Sequence, residues 1–269
     1  MHQAKKRFGQ NFLTDKNLLK KIVDSAKIKD KNVLEIGPGQ GALTQFLVQD
    51  AKKYLAYEID YSLKPLLTDY HLPHTHFIFE DFLASNIESD LNTYFDKEPI
   101  HLIGNLPYYI TTPIIFKFLE LPQIEIATIM VQKEVGERMI SKNNLKSYNA
   151  FSAILQYYTH VDLVMHVGKK MFKPVPKVDS MVVKLTKKEG PLNLEEEILY
   201  KKIVKISFMH KRKTLLNNLS VGLETPKEEI LFILQALNYN ETTRAEALSV
   251  DDFIQLTQKM AEKQKGSIK

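Results

Sequence analysis

The stretch that decides the fold is Val33-Leu34-Glu35-Ile36-Gly37-Pro38-Gly39-Gln40-Gly41. Its largely apolar first part predicts a buried strand, and the three glycines after it predict a tight turn into a helix. Glycines at such a turn let the backbone pass close to a ligand and bring the N-terminus of the next helix beside it. The stretch therefore predicts the start of an α/β domain with a ligand site at the turn.

The segments that follow this stretch alternate between strand-like and helix-like patterns. Continuous apolar runs separated by helices predict a parallel sheet that is covered on both faces. Two later segments, at 156–167 and 178–185, alternate like antiparallel strands at the edge of a mixed sheet. The predicted strands are 32–36, 54–59, 76–79, 100–103 and 126–131, and the predicted helices are 42–49, 61–70 and 113–119.

The pattern changes at residues 187–191, where a Gly-Pro pair predicts a linker. Beyond the linker only helical periodicity is found, at 195–209, 211–221, 226–237 and 250–263. We therefore expect an α/β domain over residues 1–188 and a small all-α domain over residues 189–269.

The composition excludes several classes of protein. The chain has 269 residues, of which 44% are apolar and 26% charged, the balance of a globular protein with room for two domains. It has no cysteine, which excludes a disulfide framework, a thiolate metal site and a cysteine nucleophile. No apolar run approaches the length of a membrane span, and none follows the basic N-terminus as in a signal peptide. We expect a cytoplasmic protein without a membrane partner.

The net charge of +5 is distributed unevenly along the chain. Residues 1–33 carry nine basic and three acidic side chains, and residues 169–190 carry seven and two, whereas residues 34–100 carry four and eleven. Lys211, Arg212 and Lys213 form a further basic cluster. A basic face attracts phosphates, which makes a nucleic acid a candidate partner; scattered solvated lysines are the alternative.

Acidic residues follow the second and third predicted strands. Glu58 and Asp81 both lie where ligands of open α/β sheets bind, beyond the carboxyl ends of the strands. An acid at the position of Glu58 commonly binds the ribose of an adenosine-containing ligand. Glu35, just before the first glycine, is unusual for a pyrophosphate site but suits a sulfonium and an ammonium group. These features favour S-adenosylmethionine over a nicotinamide dinucleotide, and a purely structural turn is a third interpretation.

The fourth predicted strand ends in Gly104-Asn105-Leu106-Pro107-Tyr108-Tyr109. A side-chain amide followed by a backbone carbonyl can accept hydrogen bonds from an exocyclic amine, and an adjacent aromatic ring can stack on the base. Phe172 lies in a loop with two prolines and several lysines, where we expect an exposed platform for the other face of the base. Alternatively, Asn105 and Pro107 only shape a turn and Tyr108 fills the core.

Taken in order along the chain, these motifs resemble those of the ribosomal RNA adenine dimethyltransferases, most closely the type that modifies small-subunit RNA. Related enzymes that modify large-subunit RNA and confer antibiotic resistance usually have isoleucine where this chain has Leu106. The resemblance spans essentially the whole chain. The motifs lie at 6–13, 35–41, 58–60, 105–108, 172–180, 212–215 and 244–246.

The resemblance implies a Rossmann-like, S-adenosylmethionine-dependent methyltransferase domain followed by a small helical domain. It implies four methyl transfers, two to each of two adjacent adenines, in the 3′-terminal hairpin of 16S ribosomal RNA. The expected partner is the small ribosomal subunit with its RNA, and nothing demands more than a monomer. The alternatives are a large-subunit resistance methyltransferase, a mainly non-catalytic small-subunit assembly factor, and a nicotinamide oxidoreductase.

The residue patterns and the resemblance together give three sets of candidate site residues. No metal is expected, because the three histidines between residues 71 and 76 fit a surface loop better than a ligand set. The target base would be held by Asn105, Leu106, Pro107, Tyr108 and Phe172. The methyl donor would be bound by Asn11, Leu13, Gly37, Gly39, Glu58, Ile59, Asp81, Phe82 and Asn105. RNA would be contacted by Lys5, Lys6, Arg7, Lys173, Lys177, Lys211, Arg212 and Lys213.

Overall fold

The computed structural model describes Lys5 and residues 10–266. The described residues form two compact units, one within Met1–Gly136 and His160–Lys187, the other within Glu137–Thr159 and Lys188–Lys269. The junction at 187/188 lies one residue from the expected domain boundary. Residues 137–159, which we had placed in the first domain, belong to the second unit.

The first unit is built on a seven-stranded sheet, and two further short strands pair with each other. The strands are β1 (Phe12–Leu13), β2 (Asn32–Ile36), β3 (Lys53–Tyr57), β4 (Thr75–Ile78), β5 (Ile100–Asn105), β6 (Ile124–Gln132), β7 (Thr159–Val167), β8 (Phe172–Lys173) and β9 (Ser180–Lys187). The order in the large sheet is β4-β3-β2-β5-β6-β9-β7, and β1 pairs with β8 separately. Strands β2 to β6 run parallel and β9 is antiparallel to β6, which confirms the predicted mixed sheet.

Helices cover the sheet and build the second unit. Those of the first unit are α1 (Lys16–Ala26), α2 (Thr44–Asp50), α3 (Lys64–Leu67), α4 (Ile87–Phe95) and α5 (Thr111–Glu120). The chain then continues through α6 (Lys133–Ile140), α7 (Ala150–Tyr158), α8 (Leu194–Ser207), α9 (Leu215–Gly222), α10 (Lys227–Ala236) and α11 (Val250–Gly266). Within the described part of the chain, no helix is both long enough and apolar enough to span a membrane.

Burial explains why the sequence shows the central strands so clearly. All five residues of β2 are buried, and β5 is buried up to its last residue. Strands covered on both faces read as continuous apolar runs. From β2 the chain runs outward through β3 to β4, and it then returns to β5 on the other side of β2. The strand order therefore reverses between β2 and β5, which creates the crevice where Rossmann-like sheets bind ligands.

Several predicted elements differ from the structure. Residues 156–158, predicted as strand, end helix α7, because Asn149 caps that helix by accepting hydrogen bonds from the Phe151 and Ser152 N–H groups at 2.9 and 3.3 Å. Helix α7 packs against α8 and α11, which is why residues 137–159 join the second unit. The predicted helix over 61–70 is one short α-helix between two 3₁₀ turns.

Candidate active site

A cleft of about 980 Å³, including its mouth open to solvent, lies at the carboxyl ends of the parallel strands. All nine predicted donor-binding residues line this cleft, and so do four of the five predicted base-binding residues, Asn105 being in both sets. The structure thus brings one end of four strands and the segment before α1 into a single site. The predicted residues that line it are Asn11, Leu13, Gly37, Gly39, Glu58, Ile59, Asp81, Phe82, Asn105, Leu106, Pro107 and Tyr108.

The glycine-rich turn forms the wall of the cleft after β2. Gly39 has a φ of +61°, a conformation that side-chain-bearing residues rarely adopt. A Cβ atom at Gly39 would lie 3.1 Å from Phe12 Cε1, so the close packing of the turn against Phe12 also requires a residue without a side chain. The Gly39 N–H donates to Glu58 Oε2 at 2.9 Å, and this bond ties the turn to the acidic residue after β3.

Glu58 is fixed in place by backbone donors. It is 4% exposed, and its Oε1 accepts a hydrogen bond from the Asp60 N–H at 2.8 Å, so both carboxylate oxygens are held. A carboxylate has about four acceptor sites, which leaves capacity for ribose hydroxyls. Asp81, after β4, is half-buried and accepts from the Leu83 N–H at 2.9 Å. Both predicted acids therefore face the cleft with a defined geometry.

Glu35, which the sequence analysis takes as favouring a cationic ligand but does not count among the donor-binding residues, also lines the cleft. It is 1% exposed, and its Oε2 accepts hydrogen bonds from Thr44 Oγ1 at 2.8 Å and from the Tyr54 hydroxyl. Burial raises the pKa of Glu35 to about 7, with a smaller raising effect from the charge of Glu58 and against the lowering effect of these two hydrogen bonds. The signal in the sequence was an acid inside an otherwise apolar strand.

The base-binding segment after β5 has a fixed amide. Asn105 Nδ2 donates to the Asn11 carbonyl at 3.0 Å, which leaves Oδ1 as the atom that can accept from a substrate amine. The half-buried Tyr108 has its hydroxyl 2.9 Å from Ser180 Oγ, and burial raises the pKa of this tyrosine. Sequence reasoning did not select Ser180, because 72 residues separate it from Tyr108.

Phe172 does not form the exposed platform that we expected. Its side chain is 1% exposed and packs in the same apolar cluster as Leu13. The cause is the antiparallel pairing of β1 with β8, which sets Leu13 opposite Phe172. The expectation of exposure was wrong, and stacking of Phe172 on a base stays a prediction.

The predicted RNA-contacting residues fall into three groups. Lys6 and Arg7 lie outside the described residues, whereas Lys5 is half-buried with its Nζ 2.6 Å from Asp60 Oδ1. In the loop after β7, Lys173 and Lys177 are exposed. The cluster at 211–213 is also exposed, but it forms a turn and not a helix start as predicted, because α9 begins at Leu215.

The chemistry of the cleft fits S-adenosylmethionine. Its wall carries Glu35, Glu58 and Asp81, which suit a ligand with a sulfonium and an ammonium group. Among the lining residues that the structure describes, none is lysine or arginine, so none of them offers a side-chain cation to the pyrophosphate of a dinucleotide. Ile59 and Phe82 add apolar surface on which an adenine ring can pack.

Comparison with known families agrees with this geometry. The family described as "Ribosomal RNA adenine dimethylase" matches residues 1–262. The chain belongs to this family. The family resemblance read from the motifs is thereby confirmed.

Relatives of known name extend the comparison. The chain is 49% identical, over 96% of both chains, to "Ribosomal RNA small subunit methyltransferase A" of Onion yellows phytoplasma (strain OY-M). It is similar in structure to a dimethyladenosine transferase from Plasmodium falciparum, with a TM-score of 0.78, 28% identity, and 94% and 98% of the two chains covered. The 23S rRNA methyltransferase ErmE gives a TM-score of 0.72 at 26% identity, covering 93% and 100%. The Rossmann-like methyltransferase fold that we expected is therefore confirmed.

Proposed function

We propose that this dimethylase-family protein transfers methyl groups from S-adenosylmethionine to the exocyclic amines of adenines in small-subunit ribosomal RNA. The observation that carries the proposal is that Asn105 lines the same cleft as Glu58. An amide that can orient an amine thus lies in one cleft with an acid suited to the ribose of the donor. The small-subunit preference rests on Leu106 and on the name of the 49% identical relative.

The donor would be held by the residues at the ends of the strands. Glu58 would accept from the ribose hydroxyls, Asp81 from the adenine, and the Gly37–Gly39 turn would let the methionine part approach the backbone. When bound, the donor would supply a methyl group on a sulfonium: the new N–C bond forms as the C–S bond breaks, and the donor leaves as S-adenosylhomocysteine. Glu35, in β2 just before the glycine turn, also lines the cleft, and a bound cation would favour its ionised form.

The chain's part in the chemistry is mainly positioning. Asn105 Oδ1 and the Leu106 carbonyl would accept hydrogen bonds from the two N–H groups of the adenine amine. These hydrogen bonds would turn the nitrogen lone pair toward the methyl group. Tyr108, held by Ser180, would stack on the base. The nitrogen gains a methyl group and loses a proton to solvent after the transfer, so no strong general base is required.

Access to the amine requires the adenine to leave its stack. Base-modifying enzymes reach their target atoms in single-stranded or extruded nucleotides. The exposed lysines at 173, 177, 211 and 213, with Arg212, would bind phosphates and hold the RNA. We propose that the substrate is the small subunit, that two adjacent adenines in the 3′-terminal hairpin each receive two methyl groups, and that the enzyme acts as a cytoplasmic monomer.

The test is transfer of labelled methyl groups to unmodified small subunits, large subunits and naked RNA in parallel. Label on small subunits alone is the expected result. Label on naked large-subunit RNA would keep the chemistry and contradict the substrate. If the donor binds but no RNA is labelled, the protein is a small-subunit assembly factor, and binding of a nicotinamide dinucleotide in place of the donor would overturn the proposal entirely.

A further inference from the structure

We propose that Asp60 is a positioning residue that latches the N-terminal segment across the donor cleft. The strap, as we name it, consists of Lys5 and residues 10–13. The inference rests on the proposed function, because it takes the methyl donor as the ligand of the cleft. It adds a role for Asp60 and Lys5, neither of which was predicted to act on the donor.

The latch is a buried carboxylate that binds two side chains of the strap. Asp60 is 2% exposed. Its Oδ1 accepts from Lys5 Nζ at 2.6 Å, and its Oδ2 accepts from Gln10 Nε2 at 2.9 Å. The Lys5 N–H donates to Gln10 Oε1 at 2.8 Å, which joins the two strap residues to each other. Ser62 completes the site by donating its hydroxyl to Asp60 Oδ1 at 2.6 Å.

The latch lies directly beside the residue that would bind the ribose. The Asp60 N–H donates to Glu58 Oε1 at 2.8 Å, so the same residue holds Glu58 through its backbone and the strap through its side chain. Strap residues 10–13 all line the donor cleft. Closing the latch therefore completes the wall of the donor site.

The far end of the strap reaches the base-binding side. The Asn11 carbonyl accepts from Asn105 Nδ2 at 3.0 Å, and Phe12 and Leu13 pair with β8. The Thr14 N–H extends this contact by donating to the Met171 carbonyl at 3.2 Å. One short segment thus connects the ribose-side acid, the amine-orienting amide and the loop that carries Phe172. A strap that loosens at Asp60 would lose alignment at Asn105 as well.

The charge of Asp60 keeps the latch closed over a wide pH range. Burial acts to raise the pKa of this carboxyl, but hydrogen bonds from Lys5, Ser62 and Gln10 outweigh burial and hold the pKa well below its usual range. Asp60 is therefore ionised at any pH at which the protein works. The ammonium of Lys5, predicted to contact RNA, is bound to this carboxylate, so we assign Lys5 to the donor site.

The test measures donor affinity directly. Titration calorimetry with S-adenosylhomocysteine would compare the full-length chain with Lys5→Met, Lys5→Arg and Asp60→Asn. Without this hydrogen bond the strap should be open part of the time, and a partly open strap lowers the apparent affinity for the donor. From the usual contribution of a hydrogen bond to a charged group, Lys5→Met and Asp60→Asn should each weaken binding about tenfold. Lys5→Arg should restore most of it. The control is Lys29→Met, which removes one exposed lysine just before β2, at the opposite edge of the sheet from the cleft.

A double-substitution cycle and two further readouts distinguish a latch from general destabilisation. If the two residues act as one unit, Lys5→Met with Asp60→Asn should weaken binding no more than the larger single change. Amide hydrogen exchange at residues 10–14 should accelerate in Lys5→Met while the melting temperature stays close to that of the parent. The salt dependence of subunit binding should not change, because the lysine is engaged with Asp60.

The outcomes separate this inference from the proposed function. If the parent chain binds S-adenosylhomocysteine and Lys5→Met binds it equally well, the latch is wrong and the proposed function stands. If Lys5→Met leaves donor affinity intact but lowers the salt slope of RNA binding, Lys5 is an RNA contact. If the parent chain does not bind S-adenosylhomocysteine, the proposed function itself fails. Should Asp60→Asn not fold, the Lys5 variants still decide the question.

Discussion

Glu35→Gln should make the protein more stable at neutral and alkaline pH. The side chain is 1% exposed, and burial raises its pKa from an ordinary 4.5 to about 7. In the unfolded chain the carboxyl loses its proton near pH 4.5, whereas the folded protein keeps it until about pH 7. The stability that this group contributes is therefore fully present below pH 4.5 and is lost as the pH rises to about 7.

The magnitude follows from the two pKa values. Each pH unit between them lowers the free energy of unfolding of the parent by about 1.4 kcal/mol. Between pH 5 and pH 8 this free energy should therefore fall by about 2 to 3 kcal/mol relative to that of the glutamine variant. Glutamine stays neutral throughout and still offers an oxygen to Thr44 and Tyr54. The free energy of unfolding of the variant should thus increase relative to that of the parent as the pH rises, and the difference should level off above pH 7.

Urea unfolding of both proteins at pH 5, 6, 7 and 8 measures this difference. The control is Glu88→Gln, an exposed glutamate of the same unit, for which the difference from the parent should not vary in this way. The difference in unfolding free energy between Glu35→Gln and the parent must change by more than about 0.5 kcal/mol over this range, which is the ordinary scatter of surface substitutions. If it does not, the inference that the folded protein buries a protonated Glu35 is wrong.

Three variants test the site and the RNA surface. Asn105→Ala should lower methyl transfer at least about 100-fold with folding intact, as for the loss of one preorganised group; activity within about twofold of the parent would contradict the amine-orienting role. Tyr108→Ala should weaken catalysis more than donor binding, and the reverse pattern would place Tyr108 in the donor pocket. Lys211→Glu combined with Lys213→Glu should weaken subunit binding and reduce its salt slope by about 2. An unchanged slope would make this cluster a solvated surface.

Most of the sheet could be predicted from the sequence, because the central strands are buried on both faces and are therefore largely apolar. The predicted bounds of β2 agree with the structure residue for residue, since no polar face interrupts that strand. Prediction failed where a local pattern was overridden by a cap or by packing. Residues 156–158 alternate like a strand, but the Asn149 cap and the contacts of α7 with α8 and α11 make them helical.

The residues that line the cleft could be predicted where a polar side chain lies at or just after the end of a strand. Glu58, Asp81 and Asn105 were found in this way, because parallel strands bring their carboxyl ends together. The missing parts depend on contacts between distant segments. Three of these contacts have no signature in the neighbouring sequence. They are the hydrogen bond between Tyr108 and Ser180, the packing of Phe172 with Leu13, and the ion pair between Lys5 and Asp60.

The measurement that tests the account most directly is identification of the methylated nucleoside on small subunits after reaction with the purified protein. Digestion of the labelled RNA and mass spectrometry would show which nucleoside is formed and where it lies. The account predicts N6,N6-dimethyladenosine at two adjacent positions of the 3′-terminal hairpin, four methyl groups for each subunit. N6-monomethyladenosine alone would contradict the proposed dimethylation. A methyl group on another base or on ribose would contradict the proposed orientation of the adenine amine at Asn105.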